Sequence, residues 1–193
     1  VKAIIITLLT ILLGYWGLMT LVDAPDFAFT NLEKGTNLAT WVDNLLLKGH
    51  LWEVTKTWDP EGVLSTIPAI GTGIIGLIIG QLLNSPISKM EIVKKMSLFG
   101  FALIIIGLLW SIVFPLNKSL WTSSFVLYTA GIAMISLSIL YYLIDVLDYK
   151  KGIKLFLIWG VNPMIVFFLS QILPQALSMI SVQNPNIPTE NIN

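Results

Sequence analysis

The sequence contains no cysteine, no arginine and a single histidine. Without cysteine there is no disulfide, thiol nucleophile or thiolate metal site, and one histidine disfavours a metal cluster. Without arginine the chain lacks the bidentate guanidinium clamp that often holds phosphate groups. Charged residues make up only 11% of the chain and the formal net charge is +0. A soluble domain is usually about 25% charged, so this balance disfavours a soluble globule and argues against nucleic acid as a partner.

Hydrophobic residues make up 55% of the chain and are concentrated in long apolar runs. A helix needs about 20 apolar residues to cross a bilayer, and five runs approach that length. They cover residues 3–22, 62–83, 97–114, 122–144 and 155–173. We therefore predict an all-α integral membrane bundle of about five transmembrane helices, forming a single domain over residues 1–193.

The first run also fits a signal peptide, because Lys2 precedes it. However, its apolar stretch exceeds the usual signal core of about 7–15 residues. A retained helix is the preferred interpretation.

Lysine placement predicts the orientation of the chain in the membrane. The short connectors 85–96 and 145–154 are dense in lysine, whereas the long connector 23–61 is not. Cytoplasmic loops carry an excess of lysine and arginine, so we expect a bacterial inner-membrane protein with its N-terminus in the cytoplasm and its long loop outside. Trp52, Trp58 and Trp121 would then lie at the outer interface.

Two patterns predict helix contacts. Leu38, Trp41, Val42 and Leu45 share one face of a helix, which predicts a short amphipathic helix over residues 38–47 on the outer surface. The second run carries a stripe of small residues that predicts close helix packing. Its members are Gly71, Gly73, Gly76 and Gly80.

Asp59 and Glu61 lie at the start of the second apolar run. One interpretation is structural, because an Asp N-cap, a Pro at the first helical position and an acid in the first turn all favour a helix start. The other is catalytic, because a carboxylate facing an outer vestibule could accept a proton from an attacking amine or hydroxyl.

A second polar string precedes the fourth run, in residues 115–124. Its candidate side chains are Asn117, Lys118, Trp121 and Ser123. In one interpretation they keep an outer turn solvated and cap the next helix. In the other they line the same vestibule as Asp59 and Glu61.

Asn162 and His50 are the remaining candidates. Asn162 precedes a proline inside the fifth run, where a kink is expected, and an amide at that depth needs a partner or a cavity. His50 lies in the long loop and is the single histidine of the chain, the residue type that most often serves as a general acid or base.

Several of these strings, taken in order, resemble the heparan-α-glucosaminide N-acetyltransferase family and its bacterial relatives. The strings are residues 42–47, 50–52 and 59–62, then 115–124, which is similar to that family's P-x-N-K-x-L-W-[ST]-x-S stretch, and 160–163, which is similar to its G-x-N-[SP] helix. The resemblance extends from about residue 38 to residue 173.

The resemblance implies a multi-span enzyme that uses cytosolic acetyl-CoA to acetylate the amino group of a glucosamine across the membrane. On that basis Asp59 and Glu61 are the predicted catalytic residues. The predicted residues for binding the amino-sugar substrate are His50, Asn117, Lys118, Trp121, Ser123 and Asn162. No metal is expected.

The family's catalytic histidine lies on an N-terminal segment that has no counterpart here, and His50 matches a different, loop histidine. The chain thus resembles a C-terminal half without its last helix. We expect the isolated chain to be inactive and to need the missing N-terminal half as a partner, beside membrane lipid; homo-oligomerisation stays open. A secondary transporter or sugar permease, and a non-catalytic membrane scaffold, are the alternative functions.

Overall fold

The computed structural model of the chain describes residues 2–25, 30–52, 56, 58–59 and 61–178. The regular elements in these residues are all helical, which confirms the predicted all-α class. They are α1 (Lys2–Leu21), α2 (Leu38–Leu46), α3 (Val63–Leu83), α4 (Lys89–Trp110), α5 (Ser123–Tyr141) with a π-helical turn (Tyr142–Val146), α6 (Ile153–Val161) and α7 (Pro163–Ser178).

Within the part of the chain that the structure describes, four helices are long and apolar enough to cross a membrane: α1, α3, α4, and α5 with its π-helical turn. They correspond to the first four predicted spans, so the chain is an integral membrane protein by helix length and composition. The helix α1 packs against α3 and α5 and buries Leu12, Tyr15 and Met19. This packing favours a retained helix over a signal peptide.

The third span begins earlier than the sequence predicted. The helix α4 starts at Lys89 rather than at residue 97, because the Ser88 hydroxyl accepts a hydrogen bond from the Glu91 N–H at 3.2 Å and caps the helix. Hydrophobicity locates the membrane-crossing part of a helix, whereas the cap determines where the helix begins.

The chain divides into two compact units, Val1–Asp148 and Tyr149–Asn193, and each is described by itself. The prediction of a single domain stays a prediction. In the first unit the main core lies among α1, α3, α4 and α5. Its buried members are Leu12, Ile75, Ile92, Met96, Val126, Leu127, Ala130 and Met134.

Close packing of α4 against α5 depends on glycines that the sequence analysis did not single out. A Cβ added to Gly131 would lie 2.6 Å from the carbonyl oxygen of Gly100, and one added to Gly107 would lie 2.7 Å from the amide nitrogen of Tyr128. These are backbone atoms, which cannot move aside as a side chain can. The two helices can therefore approach closely only without side chains at these positions.

The predicted glycine stripe on α3 is largely wrong as a packing surface. A Cβ at Gly71 would touch Leu12 at 3.2 Å, which agrees with close packing on α1. At Gly73, Gly76 and Gly80, however, no described heavy atom lies within 4 Å of that position. The helix α1 contacts one turn of the stripe, and the other three glycines face open space within the first unit.

In the second unit, the predicted fifth span is interrupted. The helix α6 ends at Val161, Asn162 leaves helical geometry (φ −121°, ψ 51°), and α7 begins at Pro163. Proline disfavours helical geometry at the residue before it and is well suited to the first helical position. The expected kink is confirmed, but it separates two helices rather than bending one continuous span. The predicted loop tail, residues 181–193, lies outside the described residues.

Candidate functional site

The candidate residues of the long loop and the polar turn lie at one end of the first unit, which we call the α2 end. It is formed by α2, the C-termini of α1 and α4, and the N-termini of α3 and α5. A second apolar cluster holds these elements together. Its buried members are Tyr15, Met19, Ala24, Leu38, Ala39, Phe114 and Leu120.

The helix α2 is fixed at its start by Asn37. The Asn37 side-chain oxygen accepts from the Thr40 N–H at 2.9 Å, and its amide donates to the Glu33 carbonyl at 2.7 Å. An Asn N-cap of this kind satisfies one of the unpaired N–H groups of the first turn. The predicted short helix over residues 38–47 is therefore confirmed.

The buried face of α2 differs from the predicted one. Leu38, Ala39, Thr40 and Asp43 are the buried residues, whereas Leu45 is 62% exposed. The predicted stripe of Leu38, Trp41, Val42 and Leu45 is wrong in part. The buried face of α2 includes the carboxylate of Asp43, whereas Leu45 points away from it.

The Asp43 carboxylate connects α2 to the start of α3. The Asp43 side chain is 1% exposed, and its Oδ1 accepts from the Val63 N–H at 2.9 Å. The backbone of Asp59 also donates to this carboxylate. The N-cap position of α3 is Gly62, which has no side chain to cap the helix. Asp43 therefore supplies, from 20 residues upstream, the cap that α3 lacks.

The expectation that Asp59 caps the second span is wrong. The helix begins at Val63, and the Asp59 Oδ1 accepts instead from the Glu61 N–H at 2.9 Å. The Gly62 N–H donates to the Asp59 carbonyl at 3.2 Å. Asp59 is half-buried and Glu61 is exposed. The two carboxylates thus belong to a short turn between Asp43 and α3, and their catalytic assignment stays a prediction.

Burial raises the pKa of the Asp43 carboxyl above its ordinary value. The hydrogen bond from the Val63 N–H lowers this pKa, the negative charge of Asp59 raises it, and the backbone hydrogen bond from Asp59 lowers it. Desolvation disfavours the charged form, and a neighbouring like charge adds to that effect. Asp43 therefore holds its proton more readily than an exposed aspartate does.

The polar turn before α5 is built by its own side chains. The Asn117 Oδ1 accepts from the N–H groups of Ser119 and Leu120 at 2.9 and 3.2 Å. The Thr122 hydroxyl donates to the Pro115 carbonyl at 2.8 Å. Asn117 thus closes the turn, as Asn commonly does, and Lys118 is exposed at its tip.

Two further side chains of this turn reach other helices. The Ser123 hydroxyl donates to the Leu12 carbonyl of α1 at 2.7 Å, and it is fully buried. The Trp121 Nε1–H donates to the Thr72 hydroxyl of α3 at 3.1 Å. Trp121 has a positive φ of 51° and packs against the main core. Its indole therefore contacts the bundle, and its expected position at the outer interface stays a prediction.

The other two predicted substrate-binding residues, His50 and Asn162, make local contacts of their own. His50 is exposed beyond the end of α2, where its backbone N–H donates to the Leu47 carbonyl at 2.8 Å. Asn162 lies in the second unit, and its side-chain amide donates to the Ile158 carbonyl at 3.0 Å. The structure thus places Asp59, Glu61 and the polar turn at the α2 end. Substrate binding by His50, Asn117, Lys118, Trp121, Ser123 and Asn162 stays a prediction.

The tryptophans of the long loop differ in their surroundings. Trp52 is 48% exposed, as an interfacial anchor requires. Trp58 is half-buried, and the Lys34 ammonium lies 5.2 Å from its ring centroid in a cation–π contact. Among the residues described, no group of three His, Cys, Asp or Glu side chains could hold a metal ion.

Sequence reasoning missed Asp43 as a site residue. The available signal was an acid on the apolar side of α2, next to Val42, where a charged residue is unexpected. Its partner Val63 is 20 residues away, so the spacing along the chain does not reveal the contact.

Comparison with known proteins supplies one relative. The chain is 31% identical over 149 residues, 67% of its length, to heparan-alpha-glucosaminide N-acetyltransferase from Mus musculus. The two proteins are distantly related. The chain spans only about a fifth of that relative, because the matched stretch is 22% of its length. No family model matches the chain.

Proposed function

We propose that this chain is part of a membrane acetyltransferase that moves an acetyl group from acetyl-CoA to the amino group of a glucosamine-type sugar across the membrane. The observation that carries the proposal is the 31% identity to the mouse heparan-alpha-glucosaminide N-acetyltransferase over 67% of the chain. Four membrane-length helices are in keeping with a reaction whose substrates lie on opposite sides of a bilayer.

The proposed reaction requires a proton acceptor on the sugar side. An amino sugar is mainly an ammonium ion near neutral pH and must lose a proton before its nitrogen attacks the thioester carbonyl. The new C–N bond then replaces the C–S bond, and CoA leaves as a thiol. Asp59 and Glu61 could hold the ammonium or accept its proton, because they lie in one turn that is open to solvent on the Glu61 side.

The polar turn would complete the acceptor site from the same end. Lys118 is exposed at its tip, and His50 is exposed beyond α2. We assign both to sugar hydroxyl contacts. Asn117, Trp121 and Ser123 already make hydrogen bonds within the fold, so their proposed part is to hold the shape of that surface. Asn162, in the second unit, is assigned to substrate binding as a separate part of the proposal.

Amide substitutions at the two carboxylates test the proposal in the full-length protein. If a carboxylate handles the ammonium or its proton, Asp59→Asn or Glu61→Gln should lower turnover by about 10²–10⁴-fold. Folding should stay near normal, because Asn accepts the Glu61 N–H as Asp59 does. Acetyl transfer from labelled acetyl-CoA to glucosamine is the measurement, and Glu33→Gln, an exposed carboxylate on the same loop, is the matched control.

Loss of turnover in one amide variant but not in Glu33→Gln would support the acceptor site. Near wild-type turnover in both amide variants would refute the catalytic role of Asp59 and Glu61. The turn would then be only a structural connection, and a non-catalytic scaffold would be favoured. Absence of any acetyl-CoA-dependent transfer by the wild-type protein would refute the enzyme itself.

A secondary transporter or sugar permease is the second candidate. The break between α6 and α7 at Asn162 favours it, since transporters bind their substrates at interrupted membrane helices. The discriminating measurement is sugar uptake into vesicles without acetyl-CoA. Uptake at full rate under that condition would support the transporter and oppose the transferase.

The membrane setting and the partners belong to the same proposal. Membrane lipid surrounds the apolar helices, and the N-terminal half of the enzyme supplies the catalytic histidine. We assign the α2 end to the outside of a bacterial inner membrane and the start of α1 to the cytoplasm.

A further inference from the structure

The carboxylate of Asp43 is in contact with two residues of one short turn, Asp59 and Gly62, and with Val63, the first residue of α3. Its Oδ1 accepts from the Val63 N–H at 2.9 Å, and the Asp59 backbone donates to the same carboxylate. The Gly62 Cα lies so close that a Cβ there would be 2.1 Å from Oδ2. With 1% of its surface exposed, Asp43 makes these contacts out of reach of water.

Among the residues described, the hydrogen bonds inside the turn all involve Asp59. The Glu61 N–H donates to the Asp59 carboxylate, and the Gly62 N–H donates to the Asp59 carbonyl. Gly62 itself contributes no side-chain cap to α3. Holding the Asp59 backbone therefore also holds the residues that follow it.

Asp43 is itself held firmly. It lies on the second turn of α2, whose start is capped by Asn37 and whose residues Leu38 and Ala39 belong to the buried cluster of the α2 end. Asp59 is its charged neighbour from the turn. The position of α2 is thus transmitted to the turn through one carboxylate.

We propose that Asp43 is the positioning residue of the acceptor site: it holds the turn from Asp59 to Gly62 against α2 and so sets where the carboxylates of Asp59 and Glu61 lie. This inference rests on the proposed function, in which those two carboxylates receive the amino sugar. Asp43 is too deeply buried to touch the sugar, and it acts through the Asp59 and Val63 amides. Misplacement of a reacting group by about 1 Å can lower the rate about 10²-fold.

The test compares Asp43→Asn and Asp43→Ala with Asn37→Ala in the full-length protein. Asn37→Ala removes the cap of the same helix but leaves the carboxylate contacts in place, so it reports what mere weakening of α2 does. The first measurement is hydrogen exchange of the backbone amides in residues 59–63, which needs no substrate. The second is the kcat and KM of acetyl transfer for each substrate.

We expect Asp43→Ala to speed exchange in residues 59–63 by more than about 10-fold, while Asn37→Ala acts mainly on the first turn of α2. We expect Asp43→Asn to lower kcat by about 10–100-fold, with the KM for acetyl-CoA changed less than about twofold. Asn keeps one acceptor oxygen, so this variant should fold even where Asp43→Ala does not.

Unchanged exchange in residues 59–63 would overturn the inference, whatever the activity. Faster exchange with an unchanged kcat, or an equal fall in kcat for Asn37→Ala, would also overturn it. A wild-type protein without acetyl transfer would refute the proposed function separately, since the exchange result would still decide whether Asp43 holds the turn.

Discussion

Gly62→Ala is the sharpest stability test of the contact between α2 and α3. An alanine Cβ at this position would lie 2.1 Å from Oδ2, 2.6 Å from Oδ1 and 2.7 Å from Cγ of Asp43. Real Cβ contacts are not shorter than about 3.0 Å, so the carboxylate would have to move by about 1 Å. The Gly62 backbone angles, φ −63° and ψ 168°, suit any residue, so the effect is steric rather than conformational.

The displaced carboxylate would lose hydrogen bonds while it stays buried. A hydrogen bond to a charged group contributes about 1.5–3 kcal/mol, and overpacking costs about 1–3 kcal/mol. Because the carboxylate can keep one of its two backbone donors, one lost hydrogen bond and the overpacking together should lower the free energy of unfolding by about 2.5–6 kcal/mol. Reversible unfolding in mixed detergent, followed by tryptophan fluorescence, measures this change.

Two comparisons isolate the cause. Gly76→Ala is the matched control, because no described atom lies within 4 Å of its added Cβ; its effect should stay below about 1 kcal/mol. In the Asp43→Ala background, Gly62→Ala should cost less than about 1 kcal/mol, since the obstructing carboxylate is gone. Equal costs of Gly62→Ala with and without Asp43 would refute the reasoning, because neighbours in contact must show coupling.

Three further predictions follow from other parts of the chain. Because the folded pKa of Asp43 is raised, the part of its contribution to stability that comes from holding the proton should be fully present below the unfolded value of about 3.9. That part should be lost as pH rises through the folded pKa, whereas the hydrogen bond from the Val63 N–H remains. Unfolding measured against pH should show this loss in the wild type and a flatter profile in Asp43→Asn. Single cysteines placed at Lys94 and Lys118 should react with an impermeant reagent from opposite sides of the membrane; labelling from one side would contradict the topology. Gly131→Ala should destabilise the fold by more than about 2 kcal/mol, since its Cβ would lie 2.6 Å from a backbone oxygen. Gly14→Ala, with open space around it, is the control, and equal unfolding free energies for the two variants would contradict the close packing of α4 and α5.

Features that depend on residues close together in the chain could be predicted from the sequence alone. Hydrophobic length predicted the first four spans, because the bilayer thickness sets how many apolar residues a helix needs. Periodicity located α2, and Asn37 caps it through a residue only three positions away. Pro163 predicted a disturbance at Asn162, because proline acts on the residue before it.

Tertiary structure decided what depends on residues far apart in the chain. The sequence favoured Asp59 as the cap of the second span, yet Asp43 supplies that cap, because docking of α2 brings its carboxylate to Val63. The indole of Trp121 donates to Thr72, 49 positions away, and no local pattern predicts that contact. The glycines that matter for close packing lie on α4 and α5 rather than along α3. A glycine has no side chain, so the sequence shows where another helix could approach closely. Only the fold determines which helix does so.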